Sequence, residues 1–221
     1  MENQSLEKIA YKKIKEAILK RDVVAGELFS AEELALRLRI EITPIRVALS
    51  RLTHEGCLAR LTNVGYCVSE LSAEEVIELF DLRQVLESYC IDEAIRRLTP
   101  DGLAALEQSV KASRKSIVTN RPLIDRYLIN KDFHLVVAQI AGNGAICQVL
   151  AETCEKLVLK RPTDGASHGG FAVLRHHREI FRAIKLQDTH KAQELMKAHL
   201  DEIKYTLLKQ IALRTRIARA H

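Results

Sequence analysis

The sequence predicts a mainly α-helical protein in two parts: three short helices closed by a β-hairpin, then an all-α helical bundle. Three observations predict it. The 221 residues contain only four Pro and nine Gly, too few breakers for a strand-and-turn architecture. Apolar residues recur with helical period over most of the chain, each run opening on a capping residue. Alternating apolar runs that read as strands occur only between residues 58 and 69.

The first helix spans Leu6 to Arg21, with Ala10, Ile14, Ala17 and Ile18 forming one apolar stripe. After a break around Val24-Ala25-Gly26, Ser30 with Glu33 three residues on forms a capping-box signature ahead of Leu34, Ala35 and Leu38. This short helix ends near Arg39. Thr43 is suited to an N-cap and Pro44 to the first helical position of a third helix, with Ile45, Ala48, Leu49 and Leu52 inward and Gly56 at its end. Leu58–Leu61 and Tyr66–Ser69 then alternate around the turn residues Thr62-Asn63-Val64-Gly65. Three helices, the last two joined by about four residues, and a closing hairpin make a winged helix-turn-helix. From Ser72, where a second capping box begins with Glu75, helical patterns run to the end. Breaks near Thr99-Pro100, Asn120-Arg121-Pro122, Gly142-Asn143-Gly144 and 161–170 divide this part into about six helices. The expected division is 1–71 and 72–221.

Net charge is +5, which is compatible with a nucleic-acid partner. It is not concentrated at the N-terminus: residues 1–71 hold 11 Lys/Arg against 10 Asp/Glu, and the remainder 23 against 19. The five cysteines include no C-x-x-C pair and read as free thiols of a reducing, cytoplasmic setting. The polar, charged first residues predict no targeting segment, and no apolar run approaches the roughly 18–20 residues that cross a bilayer.

The order of several motifs resembles the GntR superfamily of bacterial transcription regulators, in the branch with an FCD sensor domain of the smaller six-helix type. Ala25-Gly26-Glu27-Leu28, Leu34-Ala35, Ile42-Thr43-Pro44-Ile45-Arg46-Val47-Ala48-Leu49, Arg51-Leu52 and Glu55-Gly56-Cys57-Leu58 carry the likeness in the first part. Asp81-Leu82-Arg83-Gln84-Val85-Leu86-Glu87, Phe133-His134, Ala141-Gly142-Asn143 and Met196-Lys197-Ala198-His199-Leu200 carry it in the second. The resemblance implies a dimeric, ligand-responsive repressor of metabolic genes that binds a double-stranded DNA operator.

In such a motif the third helix enters the major groove. With its inward stripe removed, Arg46, Val47, Ser50 and His54 face outward. Arg46 suits bidentate contact with guanine or a phosphate clamp, and Thr43 a phosphate contact. Ser50, Val47 and Arg51 complete the expected surface, with Asn63 and Gly65 at the wing tip toward the minor groove. The chain departs from the family pattern at Ile42, where an arginine is expected, and at Glu41, Val47 and Val64. These changes remove a base-reading cation and add an anion, which predicts an altered or weaker operator preference.

In the second part, His134 shares a helical face with Val137, Ala138 and Ala141; His177 with Ile180, Phe181 and Ile184; and His199 with Ala192, Leu195, Met196 and Ile203. Three inward imidazoles need partners: either backbone carbonyls or one shared metal satisfies them. Asn130 lies one turn before His134. The resemblance implies that His134, His177, His199 and Asn130 form a metal site, and an imidazole set suits a divalent transition metal such as Zn²⁺ or Ni²⁺. Arg83 lies on an apolar face and needs an acid: Glu87 one turn on, or the carboxylate of a small organic-acid effector beside the metal. Arg83 and Glu87 are therefore the expected effector-site residues. A regulator that responds to the metal itself and a helical metal-dependent hydrolase are the competing readings. No phosphate-binding glycine loop or nucleophile elbow supports an enzyme.

Overall fold

A computed structural model describes residues 2–24, 26–62, 64–119, 122–161 and 170–219. It divides the chain into two compact units, 1–71 with 158–162, and 72–157 with 163–221.

In the first unit α1 (Glu2–Lys20) buries Ala10, Ile14, Ala17 and Ile18, the stripe that the periodicity predicts. The helix α2 (Ala31–Leu38) opens on a complete capping box: Ser30 Oγ accepts the Glu33 N–H at 3.1 Å, and the Glu33 carboxylate accepts the Ser30 N–H at 2.7 Å. Arg39, in the left-handed region at φ 54°, closes it.

The helix α3 (Ile42–His54) starts one residue before the expected cap, with Glu41 at the N-cap position and no side-chain cap bond. Thr43 therefore lies inside the helix and Pro44 is its third residue, buried. A proline is tolerated there because the first-turn N–H groups have no intrahelical acceptor. Ile45, Ala48, Leu49 and Leu52 all lie in the core with Leu34, Phe29, Leu58 and Val68.

The hairpin β2 (Leu58–Leu61) and β3 (Gly65–Val68) is present, and a strand the sequence reading missed joins it. This is β1 (Leu28–Phe29), which pairs antiparallel with β3 to give the order β1-β3-β2. Gly65 does not sit at the tip: it opens β3 opposite Leu61, at φ 136°. A Cβ there would stand 2.5 Å from the Phe29 carbonyl oxygen, so the close approach of β1 requires glycine.

Among the described residues the part after Leu71 contains α4 (Ala73–Arg96), α5 (Pro100–Val118), α6 (Leu123–Ala141), α7 (Gly144–Leu159), α8 (Gly170–Lys185) and α9 (Thr189–Arg219), six helices as expected, all in the second unit except the last two residues of α7. Ser72 caps α4 by accepting the Glu75 N–H at 3.0 Å, but the capping box is half formed, and Glu75 instead stands 3.7 Å from Lys156 Nζ. Thr99 caps α5 and left-handed Gly142 ends α6. The helix α4 packs chiefly on α6 and α9, α5 on α6 and α8, and α8 on α9. Phe80, Ile91, Leu106, Phe133, Ile180 and Leu200 form the core between them. No disulfide joins the cysteines, and among the described residues no helix is long and apolar enough to cross a membrane.

Candidate functional site

The helix α3 presents Thr43, Arg46, Val47, Ser50, Arg51 and His54 on its exposed side. Arg46 is exposed and its Nη2 lies 2.7 Å from Glu32 Oε1 on α2, an ion pair on the outer surface. The hydrogen bond from Arg46 holds the Glu32 carboxyl below the ordinary carboxylate range. Arg51 is differently engaged: its Nε donates to Glu55 Oε1 at 2.8 Å and its guanidinium lies 4.1 Å from the Tyr11 ring centre, so it braces α3 on α1. Glu41 and Val64 are both exposed. Asn63, the expected wing-tip contact, lies outside the described residues.

In the second unit α6, α8 and α9 bring His134, His177 and His199 together, all at most 1% exposed. One ring nitrogen from each lies within 4.8 Å of the others. Nε2 of His134 faces Nε2 of His199 at 3.3 Å. His177 stacks on Phe133 with ring centres 3.9 Å apart. Burial is the largest influence on all three rings, lowering His134 below its ordinary value and His177 and His199 well below theirs. At neutral pH each is an uncharged imidazole with a lone pair to offer.

Glu87 orients one of them. Its Oε2 accepts the Nδ1–H of His134 at 2.5 Å, and its Oε1 accepts the Nε–H of Arg83 at 2.8 Å. Burial pushes this carboxyl up, but the Arg83 guanidinium and His134 outweigh it and hold it at about 2. With the proton fixed on Nδ1, the lone pair of His134 is on Nε2 and faces the cluster. Of the two partners expected for Arg83, the one present is Glu87; the Nη2 of Arg83 is nevertheless buried without a hydrogen bond. Asn130 Oδ1 is likewise buried and unpartnered.

His134 is bonded to Glu87, and His199 Nδ1 lies 3.4 Å from His176 Nδ1, so these two rings have partners without a metal. His177 has none among the described residues: both its nitrogens are buried and neither makes a hydrogen bond. A divalent cation bound jointly with His134 and His199 would satisfy one of them, and a ring set of this kind fits Zn²⁺ or Ni²⁺.

Several contacts were not apparent from the sequence, among them those of Glu87 with His134, His176 with His199 and Glu32 with Arg46. His176 sits off the apolar stripe of α8, yet it reaches His199 and stands 3.6 Å from Glu202 Oε2. Glu32, in the first turn of α2, meets Arg46. The signal for His176 was its adjacency to His177; nothing local pointed to Glu32.

The chain matches two family models: that of the bacterial regulatory proteins of the gntR family over residues 6–68, and that of the FCD domain over residues 78–202. It is 28% identical over 198 residues to the HTH-type transcriptional repressor RspR of Escherichia coli K12, covering 84% of each chain. It is 26% identical over 204 residues to the repressor GlaR of the same organism, covering 82% of this chain and 89% of that one. Among solved structures, Escherichia coli McbR/YncC superposes with a TM-score of 0.77 at 18% identity, covering 93% of this chain and 98% of that one, a likeness of fold.

Proposed function

Since the chain belongs to the GntR family of DNA-binding transcription regulators and carries an FCD domain, we propose that it is a cytoplasmic repressor of metabolic genes, released from its operator when an organic acid binds at a metal held by the second unit. In this reading Arg46 reads a guanine, Thr43 and Ser50 approach the phosphates at the start of the groove, and Val47 contributes an apolar contact to a base edge. Two copies, paired as a homodimer, would set their recognition helices on half-sites one helical turn apart.

His134, His177 and His199 would hold the metal, with Asn130 as a neutral fourth donor. The metal supplies a positive centre that attracts an anionic ligand. The chain's own residues do the rest: Glu87 fixes the ring of His134, His176 supports His199, and the free Nη2 of Arg83 receives a carboxylate. The observation that carries the sensing half is His177, whose two buried nitrogens have no hydrogen-bond partner among the described residues. Ligand binding then changes operator affinity through a coupling of about 1–3 kcal/mol, a five- to 150-fold change.

The test is selection of an operator from random duplex DNA by the purified protein. Titration of that duplex follows, with and without zinc and a panel of carboxylates. Release that needs both metal and acid supports the reading. Release by zinc alone makes the protein a metal-responsive regulator, and no selected sequence overturns operator recognition.

A further inference from the structure

We propose that Glu202, acting through His176, fixes the tautomer of His199 and with it the affinity of the imidazole cluster for a cation, and that Arg175 works against it at the same ring nitrogen. The inference rests on the metal-binding role proposed for that cluster.

The proton positions follow from one end. Glu87 is ionised and a carboxylate only accepts, so its contact of 2.5 Å puts the ring proton of His134 on Nδ1 and the lone pair on Nε2. That lone pair faces Nε2 of His199 at 3.3 Å. Two nitrogens at 2.0–2.1 Å from one tetrahedral ion stand about 3.3–3.4 Å apart, so the separation suits a shared cation provided that His199 also turns a lone pair inward. A neutral imidazole carries one proton on its two nitrogens. The Nε2 of His199 is therefore open to a cation only when its proton sits on Nδ1.

The partner of that Nδ1 is His176. The two Nδ1 atoms are 3.4 Å apart and the ring planes nearly perpendicular, at 86°. One proton fits between them. For His199 to keep it, His176 must accept there and carry its own proton on Nε2. Among the described residues two groups of opposite kind flank that Nε2. Glu202, one turn beyond His199 on α9, brings its Oε2 to 3.6 Å, and Arg175 brings its Nη2 to 3.5 Å. A carboxylate accepts only, and draws the proton of His176 to Nε2. A guanidinium donates only, and draws it to Nδ1, which turns the proton of His199 inward against the cation. The side chain of Glu202 is 50% exposed, that of His176 12%, and His199 is fully buried, so the outer group is free to swing the remaining distance to a hydrogen bond while the ring it sets is held. Glu87 orients His134 from within the core; Glu202 and His176 do the same for His199 from the surface.

The test is zinc affinity of the full-length protein, read by competition with a chelating dye. Glu202→Ala should weaken binding about tenfold and His176→Phe about 10–100-fold, the range for groups that orient a metal ligand. Arg175→Ala should bind zinc at least as tightly as the wild type. Loss of a surface charge alone would shift affinity in the same directions, so the deciding comparison is made on the His176→Phe background. There Glu202→Ala should change affinity by less than about twofold, because no ring is left to relay it. A loss of about tenfold that persists in that background, or full wild-type affinity in Glu202→Ala alone, overturns the proposal. Circular dichroism melting confirms that each variant is folded. If the phenylalanine variant is not, ring-nitrogen NMR of the zinc-loaded, ¹⁵N-histidine-labelled wild type decides: His199 should be protonated on Nδ1 and His176 on Nε2, and a His176 protonated on Nδ1 overturns the proposal. A wild type that binds no zinc overturns the metal-binding reading itself, and is distinguishable because failure of the relay alone leaves wild-type affinity intact.

Discussion

Replacing Glu87 by glutamine removes a charge while keeping the volume, and its cost can be worked from the structure. The carboxylate is 1% exposed and uses one oxygen for Arg83, itself 4% exposed, and the other for His134. Its pKa of about 2 in the folded protein, against the ordinary 4.5, corresponds to about 3 kcal/mol of stability. Breaking a buried ion pair by removing one partner costs about 3–5 kcal/mol, in agreement. In a protein of this length each kcal/mol moves the melting temperature by about 2–4 °C, so Glu87→Gln should melt about 6–12 °C lower at pH 7. The sign of the acid dependence follows from the folded value lying below the unfolded one. The contribution is complete above about pH 4.5 and is lost as the pH falls towards 2. Melting of the metal-free protein, followed by circular dichroism at a series of pH values, should show a gap between wild type and variant that is widest at neutral pH and narrows in acid. Zinc affinity, read by competition with a chelating dye, should fall about 10–100-fold because His134 loses the acceptor that fixes its ring. A melting difference under about 2 °C at pH 7, or one unchanged in acid, would refute this use of Glu87.

Arg46→Ala should weaken binding to the selected operator by about 1–3 kcal/mol and relax preference at a single base pair, as fluorescence anisotropy on single-site variants would register. Glu32→Gln removes the surface partner of Arg46 and should tighten the same complex by up to about fivefold at moderate salt; weaker binding would mean that the pair positions Arg46 for the groove. Gly65→Ala places a Cβ against the Phe29 carbonyl at a left-handed position, and should cost about 1–3 kcal/mol in urea unfolding of the first unit, whereas an unaltered midpoint would deny the close approach of β1. Ser30→Ala removes one bond of the capping box and should cost about 1 kcal/mol in the same assay.

What was legible in the chain was whatever depends on near neighbours. Ser30 and Glu33, three residues apart, announce α2, and the stripe of Ile45, Ala48, Leu49 and Leu52 settles which side of α3 is free. The three histidines were legible because each shares a face with apolar neighbours, and that face had to be buried. Two residues of strand, by contrast, leave no alternation to detect: β1 exists because Gly65 lets β3 approach Phe29, a contact across 36 positions. The start of α3 was misjudged for a similar reason. Thr43 has the side chain of a cap, but the helical backbone begins at Ile42. Glu87 beside His134 and Glu32 beside Arg46 join residues on different helices, and spacing along one helix carries no information about such pairs.

The central claim is that His134, His177 and His199 act as one site, and the metal content of the purified full-length protein tests it most directly. After incubation with zinc and exhaustive dialysis, elemental analysis should find one ion per chain in the wild type and none above background in a His177→Ala variant of unchanged helicity. A wild type without bound ion, or a variant that keeps its full complement, would contradict it.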